Sequence, residues 1–457
     1  MAALSKEERG KRMGSDPIPR LIFTFALPAV IGMVSGAIYN IVDRIFVGHC
    51  VGTGGIAAIT ACFPTMLIIM AFTLLFCIGG ASRVSILFGA GKRDAAEEAL
   101  TSTFVLLAAS GAAAIIASFF VIDPMLRLCG ASGDVLESAR GYLRIILLGA
   151  PFGFFGFGAN FLIRAGGYPI YAMSTQVVGA VSNIILDAIF IAGFDMGVVG
   201  AAYGTILAQA ISAVFGLSFF CRRSAALSPR VRYIRLPRWD VVGAICSVGS
   251  ASFFMEISFV CYSTLMNRTV IAYGGYIGLS AMGVFLSLDS LLFLPAMAIG
   301  EATQPIIGYN YGARKTDRVI KAIYCASAAA IGFYLISFTV AELFARQMMM
   351  LFTSDEELLA IGVPGMRVAY IGVPFMGLMI VTNSALQGLG KGAASLLLSF
   401  CRHIFCLFMP LIILPRYFGM FGIWFSYTCG DIGGFILAIG FLMWIKRLLK
   451  NQDGPDV

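Results

Sequence analysis

The chain has 457 residues, of which 59% are hydrophobic and only 12% charged, with a formal net charge of +8 and a mean hydropathy of +0.90. So few charges cannot clothe a water-soluble domain of this length, which excludes an ordinary cytosolic globular protein and predicts an all-α polytopic membrane protein. The positive balance reads as membrane topology and calls for no nucleic acid.

The first segment, 1–20, carries Lys6, Arg9, Lys11, Arg12 and Arg20 and ends without a small-residue cleavage site. The apolar run after it is therefore expected to be a retained helix and not a removable signal. A spanning helix needs about 20 apolar residues. Twelve such spans follow, at 21–48, 54–82, 97–122, 138–164, 170–193, 198–221, 240–273, 277–303, 318–344, 359–386, 393–415 and 420–445. Pro28, Pro64, Pro151, Pro295, Pro364 and Pro374 mark expected kinks.

Lys92 and Arg93, the run from Arg222 to Arg238, Arg314, Lys315, Arg318 and Lys321, and Lys446, Arg447 and Lys450 fall in alternate breaks. The breaks near Gly52, Asp195 and Gly275 carry almost no cations. Positive loops stay in the cytoplasm, so both termini are expected there, in a multi-pass protein of a bacterial cell membrane. The organisation that follows is a cytoplasmic segment 1–20, an amino-terminal lobe 21–222, a cytoplasmic basic linker 223–238, a carboxy-terminal lobe 239–446 and a tail 447–457. The linker arginines could hold anionic lipid headgroups, although a loop that only sets topology needs no such role.

The lobes echo each other. Residues 89–94 and 312–317 both fit G-A-x-K-x-D, 223 residues apart. Asn160 followed by RAGGYPIYA is answered by Asn383 followed by LQGLGKGAA, and Gly197-x-x-Gly200 by Gly419-x-x-Gly422. Asp43-Arg44 meets Asn267-Arg268, so the second copy loses a carboxylate. Twelve transmembrane helices in two pseudo-symmetric six-helix lobes suit a transporter whose halves rock about a central cavity.

A charged Asp at mid-bilayer costs about 2.5 to 3.5 kcal/mol on insertion scales, so intramembrane acids need a reason. Asp43 and Asp187 both fall roughly 7 to 10 Å inside the outer leaflet when counted at about 1.5 Å per residue. Asn183 shares a helix face with Asp187 one turn away, and Thr205 reaches similar depth. Two acids, an amide and a hydroxyl make a candidate site for H+ or Na+. The competing reading is that Asp43 reaches the interface or pairs with Arg44. In the second lobe, Glu256 and Asp289 lie near mid-depth and would bind a cationic substrate or a second ion, or pair structurally with Arg268 or Arg402. Glu301 reads as a helix-end group, and His403 as a relay or a hydrogen-bonded core residue.

The eleven cysteines show no metal-ligand spacing and read as small apolar residues, with Cys50 and Cys129 near enough to the outer face for a disulfide to be conceivable. No cofactor is expected. No H-E-x-x-H or G-x-S-x-G occurs, and both Gly-Lys pairs fail the phosphate-loop pattern, so an enzyme or ATP motor is not expected.

YNIVDRIFVG at 39–48, NIILDAIFI at 183–191 and PIIGYNYGA at 305–313 resemble the multidrug and toxic compound extrusion (MATE) family, closest to its MepA-like bacterial branch. The resemblance covers nearly the whole chain. It implies a twelve-helix, two-lobe antiporter that expels organic cations in exchange for H+ or Na+; the cargo is expected to be small, cationic and amphipathic, and the protein a monomer. It further implies that Asp43, Asn160, Asn183, Asp187 and Thr205 handle the coupling ion, with Asn160 included on resemblance alone. Other branches place essential acids in the seventh and tenth spans; here the tenth has none, which favours coupling in the first lobe. The alternative is a lipid-linked oligosaccharide flippase of the same broad superfamily, for which the only deep basic candidates are Arg268 and Arg402.

Overall fold

A computed structural model describes residues 12–129, 133–222, 225–234 and 238–451. The expected polar ends at 1–11 and 452–457, and linker positions 223–224 and 235–237, lie outside the described residues. Helices dominate because a chain in hydrocarbon must satisfy its backbone groups within each segment.

Spans one to six are Ile18–Cys50, Thr53–Gly89, Arg93–Phe120, Gly133–Ala165, Pro169–Asp187 and Gly197–Phe220, with a short helix, Ile122–Leu128, after the third. The fifth continues through a π-helical segment, Ala188–Gly193. Spans seven and eight form one continuous run, Trp239–Gly312, that reverses at Gly275. The ninth is Thr316–Met350; the tenth is Glu356–Tyr370 plus Val373–Gly388, bent by 50°. The eleventh comprises Gly392–Cys401, a π segment at Arg402–Phe408 and the start of Met409–Lys450, whose non-helical break at Gly419 begins the twelfth. Splitting the runs at these two glycines yields the twelve expected spans. Pro364 lies inside the first half of the tenth span, and the bend falls at Ile371 and Gly372 instead. Pro374, lacking an N–H, then occupies the first turn of the second half, where no donor is needed.

The repeat is written in the turns. Positive φ occurs at Gly52 and Gly275, at Gly91 and Arg314, and at Gly167 and Gly390, each pair separated by 223 residues. Gly197 and Gly419 form a fourth pair, 222 residues apart. Glycine is the default in this left-handed region because a Cβ crowds the following carbonyl; Arg314 is the member that bears that strain.

The lobes meet at the end that carries the linker, called here the linker end. On the pseudo-twofold axis, a Cβ on Gly89 would lie 1.9 Å from the Tyr309 carbonyl oxygen, and one on Gly312 would lie 1.9 Å from that of Ile86. Only glycine lets the second and eighth spans approach so closely. Ser82 Oγ donates to the Gln387 carbonyl, Gln304 Nε2 to that of Ile78, and Arg164 Nη2 meets Glu301 Oε2 at 2.8 Å.

The two lobes also exchange helix ends. Ile18, Leu21, Ile22, Phe25, Ala26 and Ala29 of the first span pack in a core with Ala302, Val319, Ala326 and Leu386 of the second lobe. Reciprocally, Val241 and Ile245 of the seventh span join the first lobe's core, together with Ala225, Ala226 and Leu227 of the linker. The far half of the first span returns to its own lobe, with Val47 packed beside Tyr142 and Val198. The linker is therefore docked: Arg230 ion-pairs with the buried Glu97, Arg232 Nη2 lies 3.0 Å from Asp94 Oδ1, and Arg238 pairs with Asp240 at 2.9 Å. These three arginines are spent on protein carboxylates, which weakens the expectation that they hold lipid headgroups.

Candidate functional site

The fifth span carries Asn183 and Asp187 one turn apart, and the α-helix gives way to the π segment immediately after Asp187. Such insertions re-aim side chains and recur at functional sites. Asp187 is fully buried and Asn183 nearly so. Asn183 Nδ2 lies 3.4 Å from Asp187 Oδ1. The carboxyl groups of Asp43 and Asp187 are within hydrogen-bonding reach of each other, joining the far halves of the first and fifth spans. Tyr39, one turn before Asp43, and the buried Tyr142 of the fourth span interact electrostatically with both acids.

The sixth span closes the site through Gly204, where a Cβ would lie 2.2 Å from Asp187 Oδ1. Three buried oxygens here, Asp43 Oδ1, Asn183 Oδ1 and Asp187 Oδ2, have no hydrogen-bond donor among the described residues. Buried acceptors without donors are costly, and these can be satisfied in two ways. A proton converts one carboxylate into a donor, and a bare monovalent cation accepts several lone pairs at once. Among the described residues Asp43 forms no ion pair with Arg44, which is exposed.

Not every expected member joins. Thr205 is half-buried beside Gly204 and, among the described residues, makes no side-chain hydrogen bond. Asn160 sits nearer the linker end, donating to the Ala172 carbonyl at 2.6 Å and to Thr175 Oγ1 at 3.1 Å. Thr175 precedes Asp187 by twelve residues, or about 18 Å of helix. The same brace recurs in the second lobe, where Ser395 Oγ donates to Asn383 Oδ1 across an identical separation of twelve residues. Asn160 thus joins the fourth span to the fifth, away from the carboxylates.

In the second lobe, neither Glu256 nor Asp289 pairs with Arg268 or Arg402 among the described residues. Arg268 is exposed, and Arg402 lies 3.7 Å from Asp431 in the twelfth span and 3.1 Å from Met376 Sδ. Asp289 instead accepts a hydrogen bond from the Tyr370 hydroxyl at 3.2 Å. His403 Nδ1 lies 2.8 Å from the Ser399 carbonyl, with its ring edge-on to Phe254, the hydrogen-bonded core arrangement. Glu301, expected as a helix-end group, is half of the ion pair between the lobes. The cysteines, Cys50 and Cys129 among them, are free thiols.

Sequence reasoning missed Asp431, although a lone carboxylate between Gly430 and an apolar run, 432–445, was a visible signal. Tyr39 was legible too, since it shares a face with Asp43. Tyr142 and Gly204 were not, because only helix packing brings them to the acids.

The MatE family model matches residues 28–189 and 251–412, two stretches whose starts and ends again differ by 223. The chain is 26% identical over 434 residues to the Multidrug export protein MepA of Staphylococcus saprophyticus, covering 94% of each protein. Its identity to the Staphylococcus aureus protein of the same name is 27% over 456 residues, covering 99% of this chain and 98% of that one. A solved outward-facing conformation of a multidrug resistance MATE family transporter superposes with a TM-score of 0.90 at 26% identity, covering 97% of this chain and 98% of the other.

Proposed function

Because this chain belongs to the MatE family, we propose that it is a multidrug efflux transporter driven by secondary exchange, expelling cationic, amphipathic small molecules against inward flow of H+ or Na+. The observation that carries this reading is the Asp43–Asp187 pair with its donor-less oxygens, a site that is incomplete without one positive charge.

The first span supplies the linkage. Its linker-end half is embedded in the second lobe's core while its far half carries Asp43 to Asp187 in the first lobe. A charge bound between these acids holds the far half against the fifth span, and its release frees that half while the other end stays anchored. Pro28, near the end of the embedded stretch, lacks the N–H that would stiffen the helix there. Ion occupancy thereby biases which arrangement of the lobes is preferred, as alternating access requires. One elementary charge crossing 100 mV supplies about 2.3 kcal/mol, more than the roughly 1.4 kcal/mol that tenfold cargo accumulation costs. A single coupled ion suffices for modest pumping.

A flippase for anionic lipid-linked sugars fits less well. Of its two deep basic candidates, Arg402 is offset by Asp431 and Arg268 is exposed.

The test is uptake of a fluorescent organic cation into proteoliposomes, with pH and sodium gradients imposed separately. Asp43→Asn and Asp187→Asn should insert normally and lose gradient-driven flux. Undiminished flux in either variant refutes the assignment.

A further inference from the structure

Arg230, Arg232 and Arg238 of the basic run are paired with protein carboxylates. Arg222, at the linker end of the sixth span, differs. It is exposed and has neither a carboxylate partner nor a side-chain hydrogen bond among the described residues. Its guanidinium lies over the ring of Tyr171, at the start of the fifth span, with Cζ 5.0 Å from the ring centre. Tyr171 is held there by stacking on Phe215, at 5.0 Å between ring centres, and by a 3.1 Å hydrogen bond from its hydroxyl to the Phe215 carbonyl. Contact with a ring face leaves open the guanidinium's fork of N–H donors, which matches phosphate oxygens in pairs.

Away from Arg222 runs an apolar groove of about 600 Å3 along the seam between the fifth and sixth spans, within the roughly 300–1,000 Å3 of small-molecule sites. On the sixth span it is lined by Leu207, Ile211, Val214 and Ser218, three or four residues apart, and Arg222 follows one turn later on the same helix face. Val178 and Leu186 of the fifth span supply the facing wall. From Leu207 to Ser218 the groove covers about 16 Å at 1.5 Å per residue. That is close to half of the roughly 30 Å hydrocarbon core, so Arg222 stands at headgroup level. Apart from the Ser218 hydroxyl the lining is apolar. A cationic cargo would meet no acid here and would be repelled by Arg222, whereas a hydrocarbon chain with a negative head suits both parts. The second lobe ends its last span alike: Lys446 Nζ lies 4.9 Å from the Tyr324 ring centre, at a smaller apolar groove of about 180 Å3 between the ninth and twelfth spans.

We infer that the seam between the fifth and sixth spans is a binding site for one anionic phospholipid, with an acyl chain in the groove and the phosphate of the headgroup on Arg222. The linker end carries the cations that keep loops in the cytoplasm, where the leaflet is rich in anionic lipid. Lipid occupancy is an equilibrium property that holds whether or not the chain pumps drugs.

The experiment uses purified full-length protein carrying Lys446→Gln, so that the smaller groove does not contribute. Delipidated in detergent, it is titrated with phosphatidylglycerol or with phosphatidylcholine of the same chains, and bound lipid is read by native mass spectrometry. Phosphatidylglycerol should bind about fivefold more tightly, the worth of one cation beside a charged headgroup. Arg222→Gln should erase that preference, whereas Arg20→Gln, an equal change of charge at the same end, should leave it intact. Val214→Trp, which fills the groove from a position already 68% exposed, should weaken binding of both lipids. Glycerol phosphate, a headgroup without chains, should not compete. Equal affinity for the two lipids marks ordinary boundary lipid and overturns the inference. So does a preference that survives Arg222→Gln, binding that Val214→Trp leaves unchanged, or displacement by glycerol phosphate.

Discussion

Gly204→Ala tests the first-lobe site through a residue that carries no chemistry of its own. In a helix interior the exchange should help, since alanine is favoured over glycine by about 1 kcal/mol. Here the new methyl would stand 2.2 Å from Asp187 Oδ1 and 3.3 Å from its Cγ. A carbon and an oxygen need about 3.3 Å, so roughly 1 Å must be found. Asp187 has no room to retreat, being fully buried against Asn183 and the Asp43 carboxyl. Either the sixth span backs away or Asp187 swings out of the pair. Overpacking of this kind costs typically 1 to 3 kcal/mol, which outweighs the helix gain and corresponds to about a 5- to 150-fold loss in cation affinity if it falls on the bound state. The assay is the dependence of proteoliposome flux on the concentration of the driving ion, where the half-saturating value should rise by that factor. Gly243→Ala is the control, because its Cβ would meet nothing within 4 Å. A Gly204→Ala protein that folds and keeps the wild-type half-saturation refutes the packing argument.

Glu301→Gln strands the buried Arg164 guanidinium between the lobes; loss of one partner of a buried pair costs about 3 to 5 kcal/mol. Distances between spin labels on the fourth and eighth spans should broaden at the linker end, and the double variant Arg164→Met/Glu301→Gln should recover most of the closure. Arg314→Gly, which gives the left-handed turn the residue that its counterpart Gly91 already has, should stabilise the protein by about 1 kcal/mol, read as a higher unfolding temperature in detergent. At the far end, Arg140 donates two hydrogen bonds to Asp123, at 2.7 and 2.9 Å, and holds its carboxyl below the usual range. Its folded-state pKa being depressed, the contribution of this pair is complete above the ordinary aspartate pKa and is lost as pH falls through the lowered value. A carboxyl titration by NMR that gives Asp123 an ordinary midpoint in the wild type would contradict this.

The sequence alone determined the solvent of this protein, because long apolar runs have no other stable home, and it determined the duplication, because G-A-x-K-x-D and the segments after Asn160 and Asn383 recur at a fixed offset. It also singled out Asp43, Asn183 and Asp187, since a carboxylate or amide in lipid depth stands out on cost. Periodicity places a side chain on a helix face but does not say which helix lies opposite. Only the tertiary structure decided that Asp187 meets Asp43 and Gly204 while Asn160 braces the fourth span to the fifth, that Arg402 pairs with Asp431, and that each lobe lends a helix end to the other's core. Those choices rest on contacts between segments far apart in the chain, where close approach at a few glycines, not local pattern, selects the neighbour.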